Sequence, residues 1–453
     1  PNFVAAQAHF VQRGDLESAR RLVGALWRFW YRRGFSRQQR DALRLLVDGG
    51  PDPAPSVGLA KTQLAIGATS YRVGEHGAAQ VAFAAAADGH LALAQAQLER
   101  VVDERRALGP GQALSGNLNT LAHLYWRQGK YDDARRVAAE LLDEASAGVQ
   151  PSFDLVRAHY ALALVDLSRA EYAAAEAHLQ TALEAARTLG QRDSAASQET
   201  LLGILYTLRS DYDKAHRALR SSVDADRGTG NEMRAARDLH NLGELAVAQG
   251  DYAVAQAMLG RSLEIKTRLG DTLGVIYTLL ASATLAYETD DLASARRWED
   301  QAAALVEPSG EASLLAWHQS VAARTALASG DVARAAAMLG PTIAFSARVG
   351  ERRRLAINLE RAALLAHAVD RDADAETLAV AAADLRAHIG APRTAGESRD
   401  LQRAGIADRP SAATAATAEP PSPDAALAVA AAVVAAAQGP RDAGDAAARR
   451  AGA

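Results

Sequence analysis

A phosphate cradle needs G-x-x-x-x-G-K-[ST], so that backbone amides can surround the oxygens. The nearest text in this chain is PAPSVGLAKT, Pro53 to Thr62. It supplies Lys61 and Thr62, but Pro55 and Ala60 stand where both glycines belong, and it reads as the start of a helix. Metal chemistry needs clustered donors. The 11 histidines are scattered, with no H-E-x-x-H and no pair at i, i+4. No G-x-S-x-G elbow offers a serine nucleophile. Cysteine is absent, which removes thiolate nucleophiles, thiolate metal sites and disulfides. The carboxylate pairs Asp132–Asp133 and Asp290–Asp291 fall at expected turns, where they serve helix starts. No catalytic, cofactor or metal residue is assigned, and the chain reads as a non-enzyme.

Two basic stretches invite a nucleic-acid reading. Residues 1–50 carry nine Arg against four acids, and Trp27, Trp30 and Tyr31 share one helical face within Trp27–Arg33. That face reads as a core seam, with docking of an upstream domain or a nucleic-acid contact as the alternatives. Glu351–Arg354 (ERRR) reads as a solvated helix start, with a phosphate site as the alternative. The net charge of −4 argues against a globally basic nucleic-acid binder, so direct nucleic-acid binding is not expected. No apolar run approaches the ~18 residues of a membrane span, and the first residues show no leader pattern. The expected location is the cytoplasm.

The elements that must position any site are helices. Alanine contributes 107 of 453 residues, and aromatics only 5%. Such composition favours helices with closely approaching backbones. Glycines at 190, 230, 270, 310, 350 and 390 mark an interval of 40, and an acidic series, Glu171, Asp211, Asp251, Asp291 and Asp331, runs about halfway between them. Two helices per unit follow. Small residues recur at Gly67, Ala122, Ala163, Gly203, Gly243, Ala283, Ala323 and Ala363, each followed twelve positions later by an alanine, from Ala79 to Ala375. Where antiparallel helices cross, missing side chains let the backbones touch. Leu179, Leu219, Leu259 and Leu339 would fill the space between successive pairs, and Glu299 replaces that filler once. One pair cannot bury its own apolar face, so pairs must stack. Nine pairs are expected, with turns near Gly34, Gly74, Gly129, Ala170, Ser210, Gly250, Asp290, Gly330 and Asp370. The wider interval from Gly74 to Gly129 suggests an extended helix through Leu91–Leu108. Leucine-poor final units predict packing that weakens towards the C-terminus.

The pattern resembles tetratricopeptide repeats, most clearly in LHNLGELAVAQGDYAVAQAML, Leu239 to Leu259. The 40-residue period is similar to the longer MalT-like variant of bacterial transcription regulators. Gly14–Phe35 resembles the point where such repeats begin in actinobacterial STAND signalling ATPases of LuxR or SARP type, and Ile389–Ala404 resembles their ends. The resemblance implies an all-α right-handed superhelix whose first helices line a concave groove. By position, that groove would present Asn119, His123, Arg157, Tyr160, Thr200, His240, Glu244, Tyr287, Arg324 and Glu360. It implies a protein or peptide partner or a small effector there, with nucleotide-binding and DNA-binding domains upstream in the same parent chain. Residues 1–13 are expected to end an upstream module, 14–408 to form the solenoid, and 409–453 to be a largely disordered Ala/Pro-rich tail with a possible helix from Asp424 to Ala437. The expected function is the regulatory, effector-sensing region of such a regulator, without a cofactor; a free-standing scaffold is the alternative.

Overall fold

The computed structural model describes residues 115–146, 152–226, 232–309, 311–406 and 422–438, with a few isolated positions before 107. The expected turns near Gly34 and Gly74, the aromatic-basic stretch, Pro53–Thr62 and most of the tail lie outside the described residues, as does most of Leu91–Leu108. Among the described residues there are sixteen helices and no strand. Fourteen form seven pairs. Ser115–Arg127 (α1) pairs with Tyr131–Ser146 (α2), Phe153–Ser168 (α3) with Tyr172–Thr188 (α4), and Arg192–Leu208 (α5) with Tyr212–Asp226 (α6). Glu232–Gln249 (α7) pairs with Tyr252–Leu269 (α8), and Thr272–Glu288 (α9) with Leu292–Ser309 (α10). Ala312–Ala328 (α11) pairs with Val332–Val349 (α12), and Arg352–Ala368 (α13) with Asp372–Ile389 (α14). Two single helices follow, Ala395–Arg403 (α15) and Pro423–Gln438 (α16). The chain is an α-solenoid of antiparallel helix pairs.

Each pair turns on one left-handed residue. Gly129, Ala170, Ser210, Gly250, Asp290, Gly330 and Asp370 all have positive φ, between 58° and 86°. The conformation lets the next amide reach back five residues, as when Glu171 N–H donates to the Asp166 carbonyl at 2.8 Å. Four of these residues are not glycine and carry the steric penalty of a Cβ there. The acidic series follows directly: Asp291 accepts from the Ser294 amide at 2.9 Å, and Asp331 from the Arg334 amide at 3.2 Å.

Within pairs, the recurrent small residues are the contact. Ala163, Ala283, Ala323 and Ala363 are wholly buried, as are Ala134, Ala175, Ala215, Ala255, Ala295 and Ala335. The leucines do more than fill gaps between pairs. A Cβ built on Gly203 would stand 2.5 Å from Leu219 Cγ, and one on Gly243 2.8 Å from Leu259 Cγ, each in the same pair. Gly203→Ala is therefore expected to destabilise by about 1–3 kcal/mol through overpacking. Gly260→Ala, at a position with no atom within 4 Å, should stabilise by about 0.5–1 kcal/mol. Urea denaturation of the two variants checks the opposite signs. Glu299, standing in for a leucine, is fully buried and accepts from the Thr325 hydroxyl, while its backbone carbonyl faces His318 Nε2 at 3.1 Å.

The expectation of weakening C-terminal packing is corrected by the structure. A broad apolar cluster joins α11–α14 to Leu401, Ile406 and α16, whose Ala430, Val433, Val434 and Ala437 are buried. The tail helix thus docks on the last pairs and supplies the apolar surface that their leucine-poor sequences lack.

The pairs curve until the first meets the sixth and seventh. Gly129, in the first turn, lies against Val349 and Phe345 of α12. The Tyr131 hydroxyl donates to Glu351 at 2.7 Å, and Arg127 pairs with Glu311. One superhelical turn closes, and its inner side bounds a space.

Candidate functional site

That space is a partly open cavity of about 500 Å³. Its walls come from the first helices of six successive pairs, among them Ser168 of α3, Ile204 of α5, Asn241 of α7, Ala281 of α9, Trp317 of α11 and Arg361 of α13. The lining positions repeat at the sequence period: Asn241, Ala281, Val321 and Arg361 are forty apart, as are Glu244, Thr284 and Arg324. Concave lining and repeat register are one pattern.

The cavity's floor is the chain's own C-terminal segment. After α14 the backbone runs inward, with Ala391 fully buried in a cluster that includes Tyr172 and Leu205. Thr394 then caps α15 through a capping box with Glu397, and Thr394–Glu397 line the cavity. Buried ion pairs fix this segment. Arg324 Nε donates to Asp400 at 2.6 Å and Arg324 Nη1 to Glu288 at 2.7 Å, while the guanidinium lies over the Tyr287 ring at 3.9 Å. Arg399 adds a second bond to Glu288 at 2.5 Å, and Gly396 is pressed so closely on that carboxylate that no Cβ fits. On the other side, Glu360 accepts from Arg386 at 2.7 and 2.8 Å and from Arg393 at 2.6 Å.

The ten residues placed on the groove by position separate into distinct environments. Glu244 and Arg324 line the cavity. Tyr287 flanks it, donating to Asp400 at 3.1 Å. Thr200, His240 and Glu360 sit one position before the register of Asn241 and Arg361, and about 100° of helical rotation carries them into the packing between helices. Thr200 meets the Ser222 hydroxyl at 2.8 Å, and His240 meets Glu244 at 3.4 Å. Asn119, His123, Arg157 and Tyr160 lie on the first two described pairs, away from the cavity. There His123 stacks on Tyr160 at 5.8 Å, and Arg157 lies over the Phe153 ring at 4.1 Å. Glu351–Arg354 corrects the solvated-start reading. Only Arg352 points outward, Glu351 is buried, and Arg353 and Arg354 line the cavity. A basic tetrad gives no such signal by itself; the forty-residue register would have supplied it.

Burial governs the cavity's electrostatics. It pushes the Glu244 carboxyl up to about 7, against the pull of Lys266 and Arg353. Burial likewise lowers Lys266, which donates to Thr278 at 2.9 Å, to about 8, and holds His240 well below its usual value. A carboxyl with a raised folded pKa contributes full stability below its unfolded value and loses it as pH rises through the folded one. The stability gap between Glu244→Gln and the parent chain should therefore move in the variant's favour between about pH 4.5 and 7. Thermal melts of both at the two ends of that window measure it; a gap that does not move would contradict the assignment.

Among the described residues no helix is long and apolar enough to cross a membrane, and no cluster of three metal-binding side chains occurs. No protein-family model matches the sequence, and no curated protein matches it. Solved structures are similar to the chain at low identity and with TM-scores below 0.5. A Rap protein complexed with competence and sporulation factor is 12% identical, covering 76% of this chain and 96% of its own, with a TM-score of 0.48. A STAND protein with a tetratricopeptide-repeat sensor from Pyrococcus horikoshii is 13% identical over 89% of this chain and 68% of its own, with a TM-score of 0.45. BtubC from P. vanneervenii is 21% identical over 48% of this chain and 91% of its own, with a TM-score of 0.40. Fold and cavity together define the class: a tetratricopeptide-like α-solenoid.

Proposed function

We propose that the chain is a non-catalytic sensor module that holds a small effector, or the end of a peptide, inside its superhelical turn. In this reading it is the regulatory region of a cytoplasmic bacterial transcription regulator of the STAND type, with nucleotide-binding and DNA-binding domains upstream. The observation that carries the sensing role is the cavity. A ligand there touches six pairs at once, so its binding energy can bias how they are arranged. The internal segment from Ala391 to Arg403 favours a compact ligand, because an extended peptide along the whole concave face must first displace it.

The test is hydrogen exchange on the full chain with a peptide selected from a displayed library. The reading predicts protection on the first helices α5, α7, α9 and α11. Protection confined to α4, α6 and α8 would contradict it. The regulatory half is tested by the gene upstream of Pro1: a Walker loop followed by repeats supports the regulator, and its absence favours a free-standing scaffold.

A further inference from the structure

Four arginines and four glutamates line the cavity, and not all of them are paired. Glu288 is bonded by Arg324 and Arg399, Glu351 by Arg354 at 2.8 Å, and Glu397 by Arg386 at 3.1 Å. Two guanidiniums remain. Arg353 makes no hydrogen bond or ion pair among the described residues, and its Nε is enclosed without an acceptor. Glu244 and Glu397 act on Arg353 only through the field. Arg361 donates from Nη1 to the Ser320 hydroxyl and has no carboxylate partner. A guanidinium carries five N–H donors in a fixed fork. Both side chains line the cavity, and the Arg361 bond to Ser320 is the one hydrogen bond that either makes among the described residues. Burial and the neighbouring Arg324 together depress Arg361 to about 10, against the opposing pull of Glu397, Asp400 and Glu360.

Uncompensated buried charge is costly, and the surrounding fold usually supplies a partner. Here Glu244 offers only a partial one, since its carboxyl titrates near 7. With Glu244 neutral, the four lining arginines face three lining carboxylates, a surplus of one positive charge. The remaining wall is apolar, with Ile204, Leu208, Val247, Val321, Ile357 and the Trp317 ring. A cavity of about 500 Å³ falls in the range of small-ligand sites.

We infer that the cavity binds the carboxylate of a ligand with an apolar body, and that Arg353 and Arg361 of α13 are its anion-holding groups. The inference rests on the concave-side sensing proposed above and names the chemistry of what is sensed. The carboxylate can belong to a free organic acid or to a peptide C-terminus.

Ligand-observed NMR and calorimetry on the full chain separate these. The probes are 4-phenylbutyrate against 4-phenylbutyramide, and short hydrophobic peptides with free against amidated C-termini. The charged member of at least one pair should bind about tenfold tighter or better, the scale of a charge-assisted bond. Acid preference in the first pair alone points to a small effector, and in the second to a peptide end; both support the inference. Arg353→Gln and Arg361→Gln should each lose about tenfold in affinity for that probe. Neither should lower the melting temperature without ligand, because neither guanidinium has a carboxylate partner to abandon. Equal binding of acids and amides, no binding by any acid, or unchanged affinity in both variants would overturn it. So would a lowered melting temperature in both ligand-free variants, which would make the guanidiniums structural. Peptide protection on the first helices without a carboxylate preference would retire this inference and leave the sensing function standing.

Discussion

Arg324→Ala is expected to destabilise the chain by about 3–5 kcal/mol, the usual loss when one member of a buried ion network is removed. The side chain is only 7% exposed and bridges Glu288 on α9 to Asp400 on α15. Truncation leaves Glu288 with Arg399 alone and Asp400 with the Tyr287 hydroxyl. Two carboxylates brought out of water with one cation fewer cannot recover their hydration while α15 stays docked. The loss is a large share of the roughly 5–15 kcal/mol that holds a typical domain together. Guanidinium denaturation reads the midpoint, and hydrogen exchange should show α15 opening first. The triple variant Arg324→Met, Glu288→Gln, Asp400→Asn should recover much of the loss, because neutral isosteres of a buried ion cluster are often nearly neutral in stability. A single Arg324→Ala within a few tenths of a kcal/mol of the parent would mean that water already reaches the cluster.

The second large effect is Glu360→Ala, at about 3 kcal/mol. Glu360 takes a two-pronged bond from Arg386 and one from Arg393, with 6% and 4% of the Glu360 and Arg386 side chains exposed. Without it, Arg386 keeps Glu397 and two weaker bonds to the carbonyls of Ala391 and Pro392. Both substitutions loosen the same segment, so their effects should not add. Once Ala391–Arg403 leaves the inner face, the second ion cluster has already lost its geometry. A double variant costing clearly less than the sum of the singles is the expected outcome. Strict additivity would show the two clusters acting on independent parts of the fold.

Much of the solenoid is legible in the sequence because its cause is local and repeated. A small residue at Ala163 and an alanine at Ala175 are twelve apart in sequence and fall in one buried cluster on either side of a turn, so the spacing reports the packing. Turns at Ala170, Ser210, Asp290 and Asp370 are marked by position in the period even though none is glycine. The groove was less legible. A shift of one residue turns a helix by about 100°, which is enough to exchange Glu360, bonded inside the packing, for Arg361, aimed at the cavity. Closure of the superhelix was not legible at all. Tyr131 and Glu351 are 220 residues apart, and Arg324 and Asp400 are 76 apart. Such pairs follow no period, and in a chain with 46 arginines and 54 acidic residues no single pairing stands out. The docked tail helix looks in the sequence like a short helix in a disordered segment, because its alanines match the tail's composition; its partners are Gly340 and the C-terminal apolar cluster.

The first and sixth pairs of one superhelical turn meet and bound the proposed ligand space. The chain has no cysteine, so a pair of spin labels can be placed without background. Lys130→Cys and Arg348→Cys put labels on exposed positions beside the contact between Gly129 and Val349, and pulsed electron–electron resonance reads the distance between them. One short, narrow distance is the predicted result; a long or broad distribution, from a turn that stays open, would contradict it.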